Sequence, residues 1–162
     1  MKQSIFTILE NTALTRDVYR MVLEGDTSAI TASGQFVNLK LDGLYLRRPI
    51  SVCCYEEGSI TIIYKIVGEG TKQMSLMKEG EQLDVLSGLG NGFDVKKSGD
   101  RPVLVGGGVG VPPLYHLCKR LIAEGKTVSV VLGFNTAAEI FYQKEFEALG
   151  ATVYVATADG SA

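Results

Sequence analysis

At 162 residues the chain has room for one domain or two small ones. With 46% apolar residues and a mean hydropathy of +0.16 it can build a packed core, which excludes a disordered chain. A net charge of −2, with lysines and arginines scattered along the chain, gives no electrostatic footprint for nucleic acid.

Residues 3–10 and 17–24 read as two strands, apolar and aromatic with partial alternation, joined by a polar loop from Asn11 to Arg16. A turn at Ser33-Gly34-Gln35 leads into residues 36–41, where alternation sets Val37, Leu39 and Leu41 against Phe36, Asn38 and Lys40. Arg47-Arg48-Pro49-Ile50-Ser51 then opens an apolar run. A guanidinium beside a proline of preset backbone, with a hydroxyl three residues on, offers a charged fork for a diphosphate and a partner for a ring nitrogen. In a regular strand Arg48 and Ile50 face one way and Pro49 and Ser51 the other. The strand must therefore end or bend if Arg48 and Ser51 are to serve one ligand, and Pro49 is consistent with a bend.

Residues 59–67 are almost entirely β-branched or aromatic and carry the strongest strand signal in the chain. Gly70-Thr71 follows as the start of a helix running to Met77. The free amide groups there, with a partial charge of about +0.5 from the aligned peptides, attract phosphate. Each string has a plain alternative: a solvated strand end for Arg-Arg-Pro, a capped turn for Gly-Glu-Gly-Thr. Their order along one chain favours a cradle for a flavin dinucleotide. A further strand over 80–88 and the glycine loop 88–92 complete six short strands and one helix, which predicts a closed antiparallel barrel.

The pattern changes at the polar linker Lys96-Lys97-Ser98-Gly99-Asp100, so the expected domains are residues 1–98 and 99–162. Beyond it, strands are predicted over 102–106, 127–133 and 152–156, with helices over 111–124 and 137–149. This βαβαβ order is that of a parallel sheet, here the first part of an α/β domain. Gly106-Gly107-Gly108-Val109-Gly110-Val111-Pro112-Pro113 joins the first strand to its helix. It lacks the full G-x-G-x-x-G spacing, yet its glycines permit close approach of a diphosphate and its prolines suit a first helical turn. A tight strand-to-helix turn is the plain alternative. Asn135 and Thr136 end the second strand at the edge where parallel sheets bind ligands, and either contact a dinucleotide or cap the following helix.

Cys53, Cys54 and Cys118 form no Cys-x-x-Cys pair and read as reduced core thiols. His116, the single histidine, reads as a packed or surface helix residue. No apolar run reaches the length of a membrane helix and residues 1–5 lack a signal-peptide profile, so the expectation is a cytoplasmic protein without membrane contact.

A barrel carrying Arg-Pro-Ile-Ser and Gly-Glu-Gly-Thr, followed by Gly-Gly-Gly-Val-Gly-Val-Pro-Pro-Leu-Tyr, resembles the ferredoxin–NADP reductase superfamily. More closely, it resembles the electron-transfer subunits of B-type dihydroorotate dehydrogenases, which act in pyrimidine biosynthesis. Flavin subunits of NADPH-dependent ferredoxin oxidoreductases and sulfide dehydrogenases are similar and form the alternative. The resemblance implies that Arg48, Pro49, Ile50 and Ser51 bind FAD, with Arg48 at the diphosphate and Ser51 near the reactive ring nitrogen. It implies that Ile63, Tyr64 and Lys65 line the ribityl and adenosine side, and that Gly70 and Thr71 hold phosphate. Gly107, Gly108 and Gly110 would receive the diphosphate of NAD. The implied partner is an FMN-containing catalytic subunit in a heterotetramer, its electrons passing from dihydroorotate through a 2Fe-2S centre to FAD and on to NAD. No protein acid or base is needed for the hydride step. The three cysteines lack the family's cluster spacing, and the family continues its NAD domain beyond the third strand, so the expectation is a truncated form without the cluster. A different class stays open on the residues alone, a non-catalytic module that binds a nucleotide or a partner.

Overall fold

The computed structural model describes all 162 residues. Six strands close a barrel: β1 (Lys2–Ala13), β2 (Val18–Glu24), β3 (Phe36–Lys40), β4 (Arg48–Glu56), β5 (Ser59–Lys65) and β6 (Gln82–Leu89), in the spatial order β1-β2-β5-β4-β3-β6 with every pairing antiparallel. Alternate residues of each strand fill the interior, among them Phe6, Met21, Leu39, Ile62 and Val85, all fully buried. Helix α1 (Glu69–Leu76) lies between β5 and β6, and its Met74 joins the same core.

Two elements depart from the sequence reading. β1 runs three residues past the expected strand end, with a register slip between Ile8 and Glu10, so the connection to β2 shrinks to residues 14–17. Asn11 is thereby a strand residue. Its amide donates to the carbonyls of Met74 (2.8 Å) and Met77 (2.9 Å) at the end of α1, and its side-chain oxygen accepts from the Tyr64 hydroxyl (2.8 Å). One polar side chain thus ties the barrel wall to the helix and satisfies two of the carbonyls that a helix end leaves open.

The second half is a three-stranded parallel sheet, β7 (Val103–Gly107), β8 (Ser129–Phe134) and β9 (Thr152–Thr157), in that order. Helix α2 (Pro112–Ala123) begins with its two prolines at the positions where a missing N–H is harmless, and Gly125 ends it at φ +81°. The helix expected over 137–149 is broken. A 3₁₀ turn covers Ala137–Glu139, and α3 spans only Gln143–Ala148. Between them Tyr142 adopts φ +65°, which carries about 1–3 kcal/mol of strain. Burial offsets it: Tyr142 packs edge-on to Phe141 within the core and to Tyr115, which is partly buried against that core.

The two halves share that core. Val18, Cys53 and Ile63 point outward from the barrel and pack with Leu114, Leu117 and Cys118 of α2 and with the sheet. Polar contacts line the same seam. Ser33 Oγ lies 2.7 Å from His116 Nδ1, the His116 ring stacks on Tyr55, and Lys119 pairs with Glu56 at 3.0 Å.

Burial, with Lys119 and Arg120 nearby, lowers the His116 pKa to about 4. An unfolded histidine takes up its proton near pH 6.5. Between those values the unfolded chain binds a proton that the folded chain refuses, so stability falls as pH drops through this window. Urea midpoints at pH 7 and pH 5 are expected to fall further for the wild type than for His116→Gln. Equal falls in the two proteins would refute this.

Candidate functional site

β4 pairs with β3 from Arg48 to Ser51, but its ladder with β5 begins only at Val52↔Ile62. Over those four residues the barrel wall parts. A cleft of about 360 Å³ opens in the gap, with Arg48, Pro49, Ile50 and Ser51 on one side and Ile63, Tyr64 and Lys65 on the other. Thr71 and Val67, at the start of α1, and Val109 from the second half complete it. No bend at Pro49 is involved, since it sits in the ladder opposite Asn38. The parting of the strands, with a register slip between Val52 and Cys54, is what lets successive residues serve one cavity.

Arg48 lies over the first turn of α1. A methyl group on Gly70 would stand 2.3 Å from Arg48 Nε, so only glycine leaves room for the guanidinium there. Arg48 Nη1 also donates to the Leu46 carbonyl. The Thr71 hydroxyl accepts from the amides of Val67 (2.9 Å) and Gly68 (3.2 Å) and donates to the Gly68 carbonyl (3.1 Å), which fixes the turn that leads into the helix. A guanidinium and the positive end of a helix therefore converge on one point, the arrangement that holds a diphosphate.

Tyr64 contributes less than expected. Its side chain belongs to the barrel core, it is 1% exposed, and its hydroxyl is committed to Asn11. Desolvation pushes that hydroxyl's pKa up, so it stays protonated. Ile63 faces the other way, into the shared core. Lys65 pairs with Asp17 at 3.2 Å and borders the cleft.

A second cleft of about 640 Å³ lies at the carboxyl ends of the parallel strands. Gly107 of β7, Gly133 of β8 and Ala156 of β9 are in register there, and the two glycines leave the sheet edge bare. Gly108, Asn135, Glu139 and Thr157 also line it, and Lys65 and Val109 border both clefts. Gly110 does not line it. Its carbonyl packs under Gly106, where an added Cβ would stand 3.2 Å from that oxygen and 2.7 Å from Leu114 Cδ1. Gly106 is thus required by packing. Asn135 borders the cleft and donates to Glu139 at 3.1 Å, whereas the Thr136 hydroxyl makes no cap. The Ala137 amide donates to Ser161 Oγ instead (2.8 Å). Val109 was invisible in sequence, being one apolar residue inside a glycine run.

A cavity of about 580 Å³ between the barrel's outer face and the helices of the second half is larger than the cleft between β4 and β5, and two ion pairs line it. Arg20 pairs with Glu10 at 2.7 Å and Lys119 with Glu56 at 3.0 Å. The cysteines do not fit an iron–sulfur cluster. Cys53 and Cys118 are fully buried in the shared core, and burial raises all three thiol pKa values, that of Cys118 to about 11. No three histidine, cysteine or acidic side chains gather where they could hold a metal. No helix is long and apolar enough to cross a membrane.

The oxidoreductase NAD-binding domain family matches residues 104–156, from β7 into β9. The electron transfer subunit of dihydroorotate dehydrogenase B (NAD(+)) from Bacillus pumilus is 44% identical over 99% of the chain, and that from Shouchella clausii is equally so. The chain is similar to these subunits along nearly its whole length. It spans 65% and 64% of those relatives' lengths, a little under two thirds. Among solved structures, an NADH-dependent reduced ferredoxin–NADP oxidoreductase studied for flavin-based electron bifurcation is 32% identical. It superposes with a TM-score of 0.87 over 98% of this chain and 58% of its own.

The burial of the thiols leads to a direct prediction. In native protein at pH 8, Ellman's reagent is expected to titrate at most Cys54 quickly, and all three cysteines only after denaturation. Prompt reaction of Cys53 or Cys118 in the folded state would contradict the packing.

Proposed function

We propose that this chain binds FAD in the cleft between β4 and β5, binds NAD at the carboxyl edge of the parallel sheet, and passes electrons between them. One observation carries the reading. The Arg48–Gly70 cradle lies in a cleft that meets the glycine-lined cleft of the second half at Lys65 and Val109. Two ligands seated there would have their reactive ends in contact.

The cradle fits the dinucleotide. Arg48 and the first-turn amides of α1 would hold its diphosphate, and Ser51 and Ile50, farther along β4, would orient its ring. Bound FAD would supply the two-electron chemistry, accepting electrons and giving a hydride to nicotinamide. The chain would bind both partners, align them and shield the junction. Val109 and the Lys65 stem give that junction an apolar lining, and Lys65 adds a positive charge beside it. Gly107 and Gly108 would admit the NAD diphosphate. No acid or base is required of the protein, in keeping with the lack of a histidine or carboxylate pair in either cleft. We further propose that the electrons come from an FMN-containing, dihydroorotate-oxidising subunit, as the names of the relatives suggest. No step is assigned to an iron–sulfur centre, because the cysteines of this chain do not fit one.

Absorbance of the purified protein, with released flavin identified by chromatography, tests the reading. Stoichiometric FAD, reduced when NADH is added, is the expected outcome. A protein that stays colourless after incubation with FAD would overturn it, and FAD that NADH cannot reduce would leave a nucleotide-binding module. Arg48→Ala is expected to weaken FAD binding by about 1.5–3 kcal/mol, roughly tenfold to a hundredfold, the range of a charge-assisted hydrogen bond. Gly70→Ala is expected to do the same by displacing the guanidinium. Equal affinities in a fluorescence titration would remove both residues from the site.

A further inference from the structure

We infer that the hydrogen bond between Ser33 of the barrel and His116 of α2 is a positioning contact for hydride transfer, setting how the cleft of the second half meets the cleft between β4 and β5. This rests on the electron-transfer reading above and extends it to two residues outside both clefts. Ser33 Oγ lies 2.7 Å from His116 Nδ1 across the seam, and Ser33 is only 3% exposed. Water offers little replacement there, and a buried polar group left without its partner is costly. Most of the seam is an apolar cluster, and apolar contact is non-directional. A short polar bond is directional, so it restrains rotation about that cluster. The ion pair of Lys119 with Glu56 crosses the same seam, but both side chains are solvent-exposed and the pair contributes little.

Each end of the bond is held in place and tied to one cleft. Gln35 fixes the loop that carries Ser33: its Oε1 accepts from the amides of Thr31 (2.8 Å) and Ala32 (3.2 Å), and its Nε2 donates to the Gly90 carbonyl (2.8 Å). The Phe93 amide donates to the Ser33 carbonyl (2.8 Å). That loop runs on into the wall of the first cleft, where the Val52 amide donates to the Gln35 carbonyl (3.0 Å) and Phe36 pairs with Ser51. On the other side, the His116 ring stacks on Tyr55 with centroids 4.2 Å apart. His116 stands about 6 Å along the helix axis from Pro112, the first residue of α2. The 3₁₀ turn Gly108–Gly110 leads straight into that helix, the Val111 amide donating to the Gly108 carbonyl (3.1 Å) and the Leu114 amide to the Val111 carbonyl (3.0 Å). Val109, which borders both clefts, is therefore carried by the helix that His116 pins. A shift of α2 moves one wall of the junction, and a misplacement of about 1 Å is enough to slow a reaction roughly a hundredfold.

Ser33→Ala removes the hydroxyl, His116→Phe keeps a ring on Tyr55 without the bond, and His116→Asn keeps a polar atom near the Nδ1 position without the ring. Stopped-flow reduction of bound FAD by NADH gives the limiting rate and the NADH dissociation constant, and a fluorescence titration gives FAD affinity, with circular dichroism to confirm folding. Ser33→Ala and His116→Phe are expected to lower the limiting rate roughly tenfold, with both affinities within about twofold of wild type. His116→Asn should keep at least about a third of the wild-type rate. In flavin-free protein, amide hydrogen exchange over residues 108–114 should speed in Ser33→Ala and His116→Phe but not in His116→Asn. A wild-type limiting rate or wild-type exchange in Ser33→Ala would overturn the inference. So would affinities that fall in step with the rate, or a His116→Asn variant as slow as His116→Phe. Wild-type FAD that NADH fails to reduce would sink the electron-transfer reading itself.

Discussion

Everything in this site depends on a sheet that fails to zip. A closed barrel satisfies its backbone by pairing each strand with its neighbours, and β4 exchanges one neighbour for the other along its length, pairing with β3 up to Ser51 and with β5 only from Val52 onward. In its first four residues it keeps β3 and lets go of β5. The released edges form the two walls of a cleft, so the polar backbone there has room for a ligand where a neighbouring strand would otherwise lie. Helix α1, inserted between β5 and β6, sets its positive end at the mouth of that gap. Arg48 closes over it because Gly70 has no side chain to prevent it.

The second dependence is on the seam between the halves. A barrel and a parallel sheet could be joined flexibly, yet here a single apolar cluster runs from β2, β4 and β5 into α2 and the sheet. Val18, Cys53 and Ile63 are barrel residues by connectivity and belong to the other half by packing. Their burial fixes where Val109 falls relative to Lys65, and hence where the two clefts meet. Cys53 and Cys54 divide along the same line. They are neighbours in sequence, but the first is sealed in the seam and the second is only partly covered.

Much of this was legible in the amino-acid sequence. The β-branched run from Ser59 to Val67 admits little besides a strand, and the change from alternating to continuous apolar runs after Asp100 marks the passage from barrel to parallel sheet. Arg48 and Gly70 could be picked out from chemistry alone as candidates for a phosphate site, but their contact follows from the barrel order, which places β4 beside β5, the strand that leads into α1. The break at Tyr142 was hidden because no glycine or proline announces it. Tertiary packing of Phe141, Tyr142 and Phe146 overrides a locally helical pattern. The place of Tyr64 was obscured for a related reason: periodicity shows that successive residues alternate, not which face is the core. Gly110 looked equivalent to Gly107 and Gly108 in a run of glycines, and only the turn after β7 distinguishes them.

Asn11 reaches from β1 to the far end of α1, and Tyr64 of β5 holds Asn11 in turn. The helix is therefore moored at the end remote from its first-turn amides. A segment fixed in this way has little freedom to swing or to form only on contact, so its electrostatic pole is aimed before any guest arrives. Association at that pole becomes a docking event with a small ordering cost, and its specificity is stored in the unliganded fold.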